Sequence, residues 1–154
     1  SVLLECIFVI ECSAPQNLQI NRHLPPAIIR IVMDANCVDL TEKFDFESLT
    51  GAQLQLNKQI ITHLVRTHQE RLKNMFTEAE KLAIKNCSAQ TQTRILEMTT
   101  NFDQEIQRLS ALQKDNPNIR LDEISTLENQ RNKLNNCMSK AYARLDSSRL
   151  VVTG

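Results

Sequence analysis

The chain has 154 residues, 42% of them hydrophobic and 23% charged, which suits one folded domain or a domain with a helical extension and excludes wholesale disorder and a fibrous repeat. Gly51 and Gly154 are its only glycines, so it has no Gly-rich turn whose amides could wrap a nucleotide's phosphates, and nucleotide hydrolysis by this chain alone is not expected. Lys plus Arg and Asp plus Glu stand at 18 each, so no net charge draws the chain to DNA or to an anionic membrane.

In LLECIFVIEC the even positions Leu4, Cys6, Phe8, Ile10 and Cys12 are apolar while the odd set includes Glu5 and Glu11, the parity of a strand with one buried face. A turn over Ala14 to Asn17 leads to LQINRHL, where Leu18 and Ile20 oppose Gln19, Asn21 and His23; this predicts a second, more exposed strand. Pro25 and Pro26 cannot donate to a ladder and mark an edge or corner. In AIIRIVMD, Ala27, Ile29, Ile31 and Met33 oppose Arg30 and Asp34, a third strand, and Val38 to Leu40 is a candidate fourth after a turn at Asp34 to Asn36.

From about Phe46 the period becomes helical. Ile61, Leu64, Val65, Leu72, Met75, Phe76, Ala79, Leu82 and Ala83 predict one apolar stripe along a long helix, with a break where polar residues interrupt it between Asn86 and Gln92. The stripe resumes through Ile95, Met98, Phe102, Ile106, Leu109 and Leu112 and stops at KDNPN, where Pro117 should reverse the chain. Ile124, Leu127, Leu134, Met138, Ala141 and Leu145 then approach a heptad seam broken by Arg131. Two such helices should pack as an antiparallel hairpin, because each alone would expose its stripe. The last run, Arg149 to Thr153, is short and β-branched and predicts a strand returning to the N-terminal sheet.

These elements give an α+β fold: a small, mostly antiparallel sheet of N-terminal strands plus the C-terminal strand, and a long helical hairpin. The expected organisation is a single domain over 1–154, with a β-rich part at 1–44, long helices over 45–146 and a closing strand at 147–154. The chain begins without Met and enters a strand-like run at once, as a piece of a longer polypeptide would. The first run carries Glu5 and Glu11 without a basic leader or cleavage site, so it does not read as a signal peptide, and no apolar stretch nears the roughly 20 residues that cross a bilayer.

Candidate chemistry is sparse. Cys6, Cys12, Cys37, Cys87 and Cys137 are scattered without a close pair to chelate zinc or shuttle electrons and read as reduced thiols. His63 and His68 are about 140° apart on a helix, too far round to share a metal, and His23 reads as a rim histidine on an exposed strand. Asp122 and Glu123 fit the first turn of a helix, where acidic groups meet free amides and the positive dipole end. No catalytic, cofactor-binding or metal-binding residue is assigned.

Charge is unevenly placed, with 3 basic and 7 acidic residues up to Asn57 and 15 basic and 11 acidic beyond it, about −4 and +4. Lys58, Arg66, Arg71, Lys73, Lys81, Lys85 and Arg94 make the first helical stretch basic, and they read either as a solvated helix face or as a contact for nucleic acid or a partner. With an aromatic fraction of 4% and no Trp, there is little to stack bases on.

The ordered set LLECIFVIE, the Ala-Pro turn, LQINRHLPP, IIRIVMD, NPNIR at Asn116 to Arg120 and RLDSSRLVV at Arg144 to Val152 resembles the C-terminal domain of the RapA family, bacterial RNA-polymerase-associated recycling ATPases of the Swi/Snf type. The similarity spans essentially the whole chain and is weakest in the middle helices. It implies a non-catalytic module at one end of a larger cytoplasmic, nucleoid-associated transcription regulator. It also implies that ATP and Mg, with the helicase-like motifs, belong to domains absent from this chain. The implied partners are RNA polymerase core through the parent protein, the parent's own ATPase domains, and DNA or RNA, with no membrane. Leu24 to Pro26 match the family's strand corner, Asn116 to Arg120 its hairpin turn, and Arg144 to Val152 its closing helix and strand; the cysteines and the basic helix residues match no family motif. The alternatives are a coiled-coil interaction or oligomerisation module of another multidomain protein, and a small free-standing enzyme using His or Glu in a cleft.

Overall fold

The computed structural model describes residues 2–51 and 56–152. Strand β1 (Val2–Glu11) lies between β2 (Ile28–Asp34) and β3 (Tyr142–Val152) in a three-stranded antiparallel sheet of order β2-β1-β3. The β1–β2 register pairs Leu4 with Met33, Cys6 with Ile31 and Phe8 with Ile29, which puts six apolar side chains on one face, all of them buried. The predicted parity therefore holds for this face. It fails on the other, because a central strand is covered on both sides: Leu3 and Val32 form a buried cluster with Leu49, flanked by Leu40, Phe44 and Val151. Glu5, expected on a solvated face, is 2% exposed.

The chain divides into two compact units, one of Ser1–Val9, Ile28–Asn86 and Ala143–Gly154, the other of Ile10–Ala27 and Cys87–Tyr142. In the first, Asp34 Oδ1 accepts from the amides of Asn36 and Val38 at 2.9 Å each, an Asx turn that carries Cys37 at φ 62°. The candidate fourth strand at Val38 to Leu40 reduces to a single bridge, Met33 to Asp39. Helix α2 (Phe46–Gly51) is capped by Asp45, whose carboxylate accepts from the Ser48 amide at 2.6 Å and is held below its ordinary pKa mainly by hydrogen bonding from Ser48. Helices α3 (Lys58–Thr67) and the first part of α4 (Gln69–Asp115) follow.

In the second unit the strand expected at LQINRHL is instead a 3₁₀ turn (Gln16–Leu18) and a short helix α1 (Ile20–His23). Pro15 before the segment and Pro25 and Pro26 after it cannot donate to a ladder. Local bonds meet the backbone's needs instead, Leu18 N to Pro15 O at 3.1 Å, Gln19 N to Gln16 O at 3.0 Å and Leu24 N to Ile20 O at 2.8 Å, with Gln19 at φ 49° joining the two turns. The hairpin of α4 and α5 (Leu121–Met138) turns at 116–120 as Pro117 foretold. Arg131, which breaks the apolar seam, pairs with Asp103 on the opposite helix at 2.7 Å.

Two helical expectations are corrected. The break does not fall between Asn86 and Gln92 but at His68, and α4 runs unbroken for 47 residues, about 70 Å. Cys87 and Thr91, read as part of a polar gap, are 4% exposed each, with their side-chain S and O atoms 3.9 Å apart. They continue a buried line of Met75, Ala79, Ala83, Cys87, Thr91 and Ile95 in steps of four, so the line turns about 40° per step and winds round the helix instead of holding one face. The second correction is the end of the helical stretch. Helix α5 stops at Met138, not near residue 146, and Leu145 lies on β3 with 42% exposure. Sheet pairing overrides the heptad here. Tyr142 donates to the Glu11 carboxylate at 2.8 Å, and Arg149 Nη2 lies 3.4 Å from Glu5, both across the β1–β3 pair.

Candidate interaction surface

Helix α3 begins where Asn57 accepts the Gln59 amide at 3.0 Å, and ends at His68, whose φ of −108° and ψ of 22° leave the helical region. Ile60, Ile61, Leu64 and Val65 share one side of this ten-residue helix, and Lys58, Thr62, His63 and Arg66 share the other. No residue of α3 is buried. Ile60, Ile61 and Val65 are exposed at 50%, 43% and 41%. Ile61 and Val65 therefore do not belong to the continuous core stripe expected of 61–83; of that set Met75, Ala79 and Ala83 are fully buried.

At the α3–α4 break, Arg66, His68 and Arg71 line an open groove with Ala35, Asn36 and Cys37 of the Asx turn, a cavity of about 630 Å³. Arg66 also lines a second groove of about 370 Å³ with Lys58 and His63 along the polar side of α3. The seven basic residues do not form one face. On α4, Arg71, Lys81 and Lys85 fall within about 80° of one another, whereas Lys73 and Arg94 point to the far side. Lys73, Lys81 and Arg94 pair along the helix with Glu70 at 3.6 Å, Glu78 at 2.9 Å and Glu97 at 3.5 Å. These are exposed neighbours that contribute little to stability. Lys58, Arg66 and Arg71 make no ion pair among the described residues, and the structure brings Arg66 and Arg71 to one groove.

A charged site that sequence reading missed lies on the sheet. Glu5 Oε2 accepts from Arg30 Nε of β2 at 2.7 Å, and Arg149 Nε of β3 lies 2.6 Å from Oε1, close enough for an ion pair though its N–H is not aimed for a hydrogen bond. Arg30 Nη1 reaches the Thr41 carbonyl at 3.4 Å, and Arg149 reaches the Thr50 hydroxyl at 3.3 Å and lies 5.0 Å from the Phe46 ring centre. One carboxylate thus joins all three strands to α2. The available signal was a lone Glu inside an apolar strand, with an Arg on the strand that follows.

Of the other titratable groups with shifted pKa, Cys6, Cys12 and His23 owe the shift mainly to burial, whereas Glu105 is lowered and Arg108 raised mainly by the hydrogen bond between them. Burial, with the Glu5 charge second, pushes the Cys6 thiol up to about 11, so its nucleophilic thiolate is suppressed. Burial also raises Cys12, whose thiol donates to the Cys137 carbonyl at 3.1 Å. All five cysteines are free thiols. His23 is on α1, not on an exposed strand; its ring stands 5.9 Å from Phe102, and burial, then Arg22, lowers its pKa. Among the described residues no three His, Cys, Asp or Glu side chains converge on a metal position, and no helix is long and apolar enough to cross a membrane.

Comparison with known proteins places this arrangement. The model of the RNA polymerase recycling family C-terminal region matches residues 1–153. The RNA polymerase-associated proteins RapA of Yersinia pestis (strain Angola) and of Yersinia pseudotuberculosis serotype O:1b are each 36% identical over 152 residues, 99% of this chain. The chain spans 16% of the length of those relatives. Full-length coverage by the family model and identity sustained from the first strand to the last lead to one conclusion: the chain belongs to the RNA polymerase recycling family, as its C-terminal region.

Proposed function

We propose that this chain is a non-catalytic C-terminal module of a RapA-like ATP-dependent RNA polymerase recycling factor, where it braces the ATPase-bearing part and contributes contacts to RNA polymerase or nucleic acid. The observation that carries the reading is the match of residues 1–153 to the C-terminal region of the family, in relatives of which the chain is only 16%. Two features support a bracing role. The most buried carboxylate, Glu5, is committed to two arginines that tie the strands together. The first and last strands are neighbours, with Leu3 and Val151 in one cluster, so the module closes on itself. ATP and Mg would then act in the parent's other domains. The basic groups Arg66 and Arg71, with Lys58, are the nearest to a contact site for an acidic partner.

The test is cross-linking of the longer polypeptide to core RNA polymerase, with ATPase assays on the 154-residue chain. Cross-links from α3 or α4 and no turnover are expected. Turnover by this chain that mutations within it abolish would overturn the non-catalytic reading, and absence of the region from every cross-link would remove the polymerase contact.

A further inference from the structure

Two cavities adjoin at the start of α4, both within the first compact unit. The groove of about 630 Å³ at the α3–α4 break shares Ala35, His68 and Arg71 with a second cavity of about 270 Å³, whose remaining walls are Val2, Leu72 and Met75. The two differ in chemistry. The larger carries Arg66 and Arg71 in a polar lining, whereas the smaller adds only apolar side chains to the walls they share. His68, Arg71, Leu72 and Met75 stand at i, i+3, i+4 and i+7, so one face at the start of α4 presents a cation and an apolar wall side by side.

Charge and size narrow the ligand. Among the described residues Arg66 and Arg71 make no ion pair, and both are exposed. Glu70, the carboxylate beside them, lies 3.6 Å from Lys73 on its own helix. Two unengaged guanidiniums fit an anion, and the arginine fork matches a carboxylate with two parallel hydrogen bonds. At about 270 Å³ the smaller cavity falls just under the roughly 300 to 1,000 Å³ of drug-sized pockets and suits one large apolar side chain. A nucleobase fits it poorly, because Val2, Ala35, Leu72 and Met75 have no side-chain donor or acceptor for the base edges. Two arginines also neutralise few phosphates.

We infer that these joined cavities bind an acidic peptide segment of a partner protein, with carboxylates on Arg66 and Arg71 and one large apolar side chain among Val2, Leu72 and Met75. The inference rests on the contact role proposed above and deepens it, by selecting protein over nucleic acid as the acidic partner. Each half supplies what the other lacks. Exposed ion pairs contribute little affinity but choose the sign of the partner, while burial of the apolar side chain supplies affinity without that choice.

The test is photolabelling of the longer polypeptide with the pentapeptide acetyl-Glu-Asp-X-Asp-Glu-amide, where X is a diazirine analogue of leucine, and mass-spectrometric mapping of the adducts. Adducts are expected on Val2, Ala35 or Leu72. The neutral peptide with Gln and Asn for Glu and Asp should label them at least about tenfold less, as should the acidic peptide on the Arg66→Gln, Arg71→Gln variant, with most labelling kept in Arg66→Lys, Arg71→Lys. The neutral peptide makes the comparison without altering the protein, so it holds even if a variant misfolds. Equal labelling by the neutral peptide, adducts only elsewhere, or none at all would overturn the inference. So would displacement of the peptide by an equal concentration of octanoate or of a uridylate oligomer, which would assign the site to a free acid or to RNA. Polymerase cross-links from other parts of the chain would still carry the family role in each of those cases.

Discussion

Replacing Glu5 by Gln removes the charge that joins the three strands to α2, and its effect can be worked from the geometry. Glu5 is 2% exposed, and the Arg30 and Arg149 side chains against it keep 17% and 23% of their surface in water. Breaking a buried ion pair by removing one partner typically costs about 3 to 5 kcal/mol, because the remaining charge is left desolvated. Both arginines retain a path to solvent, so the low end applies, about 3 kcal/mol. At about 2 kcal/mol per molar urea, the unfolding midpoint should fall by roughly 1.5 M with no change in slope. The companion variant replaces the whole network, Glu5→Leu with Arg30→Met and Arg149→Met. Because no buried charge is then orphaned, it should be more stable than Glu5→Gln alone, although it alters more atoms. Circular dichroism during urea titration measures both. A shift below about 0.5 kcal/mol for Glu5→Gln would show that water screens the cluster, and a triple variant weaker than the single one would refute the desolvation argument.

Two further predictions concern the second unit. Leu134 is 1% exposed on α5, so Leu134→Ala should cost about 2 to 5 kcal/mol from lost transfer energy and the cavity left behind, and a change under about half a kcal/mol in urea unfolding would contradict its burial. His23 has its pKa lowered from 6.5 by burial and by Arg22, so the unfolded chain binds its proton more readily. Its contribution to stability is complete above about pH 6.5 and declines as the pH falls through the depressed folded value. Thermal midpoints at pH 7.5 and 5.5 should therefore differ less in His23→Gln than in the wild type, and an equal or larger difference in the variant would reject the linkage.

Local pattern and tertiary packing divided the information unevenly. Strands β1 and β2 were legible because parity needs no partner to be seen: Leu4, Cys6 and Phe8 alternate, as do Ile29, Ile31 and Met33. The hairpin turn was legible for a similar reason, since Pro117 blocks helix continuation whatever surrounds it. The segment LQINRHL misled because five residues of alternation cannot reveal whether a ladder partner exists. Its flanking prolines left local turns as the only way to satisfy the backbone. At Cys87 and Thr91 residue type suggested a polar gap, whereas a small thiol and a small hydroxyl are what a close-packed helix line admits.

The candidate surface shows the same division. The basic character of Lys58, Arg66 and Arg71 was readable from composition, but the set of seven scattered over several helix faces once the break moved to His68. Exposure of Ile61 and Val65 could not be read, because an apolar stripe looks the same whether its cover lies inside the chain or outside it.

What the amino-acid order determined by itself was the α+β class, the strand character of Val2–Glu11 and Ile28–Asp34, the reversal at Pro117 and the family, because each rests on periodicity, on a residue's own backbone restriction or on an ordered set of motifs. Only the tertiary structure decided that Glu5 is buried between Arg30 and Arg149, that residues 142–146 leave the helix for the sheet and that α3 stands uncovered. Those outcomes depend on which distant segment arrives beside each residue, and burial is a property of the neighbour as much as of the side chain.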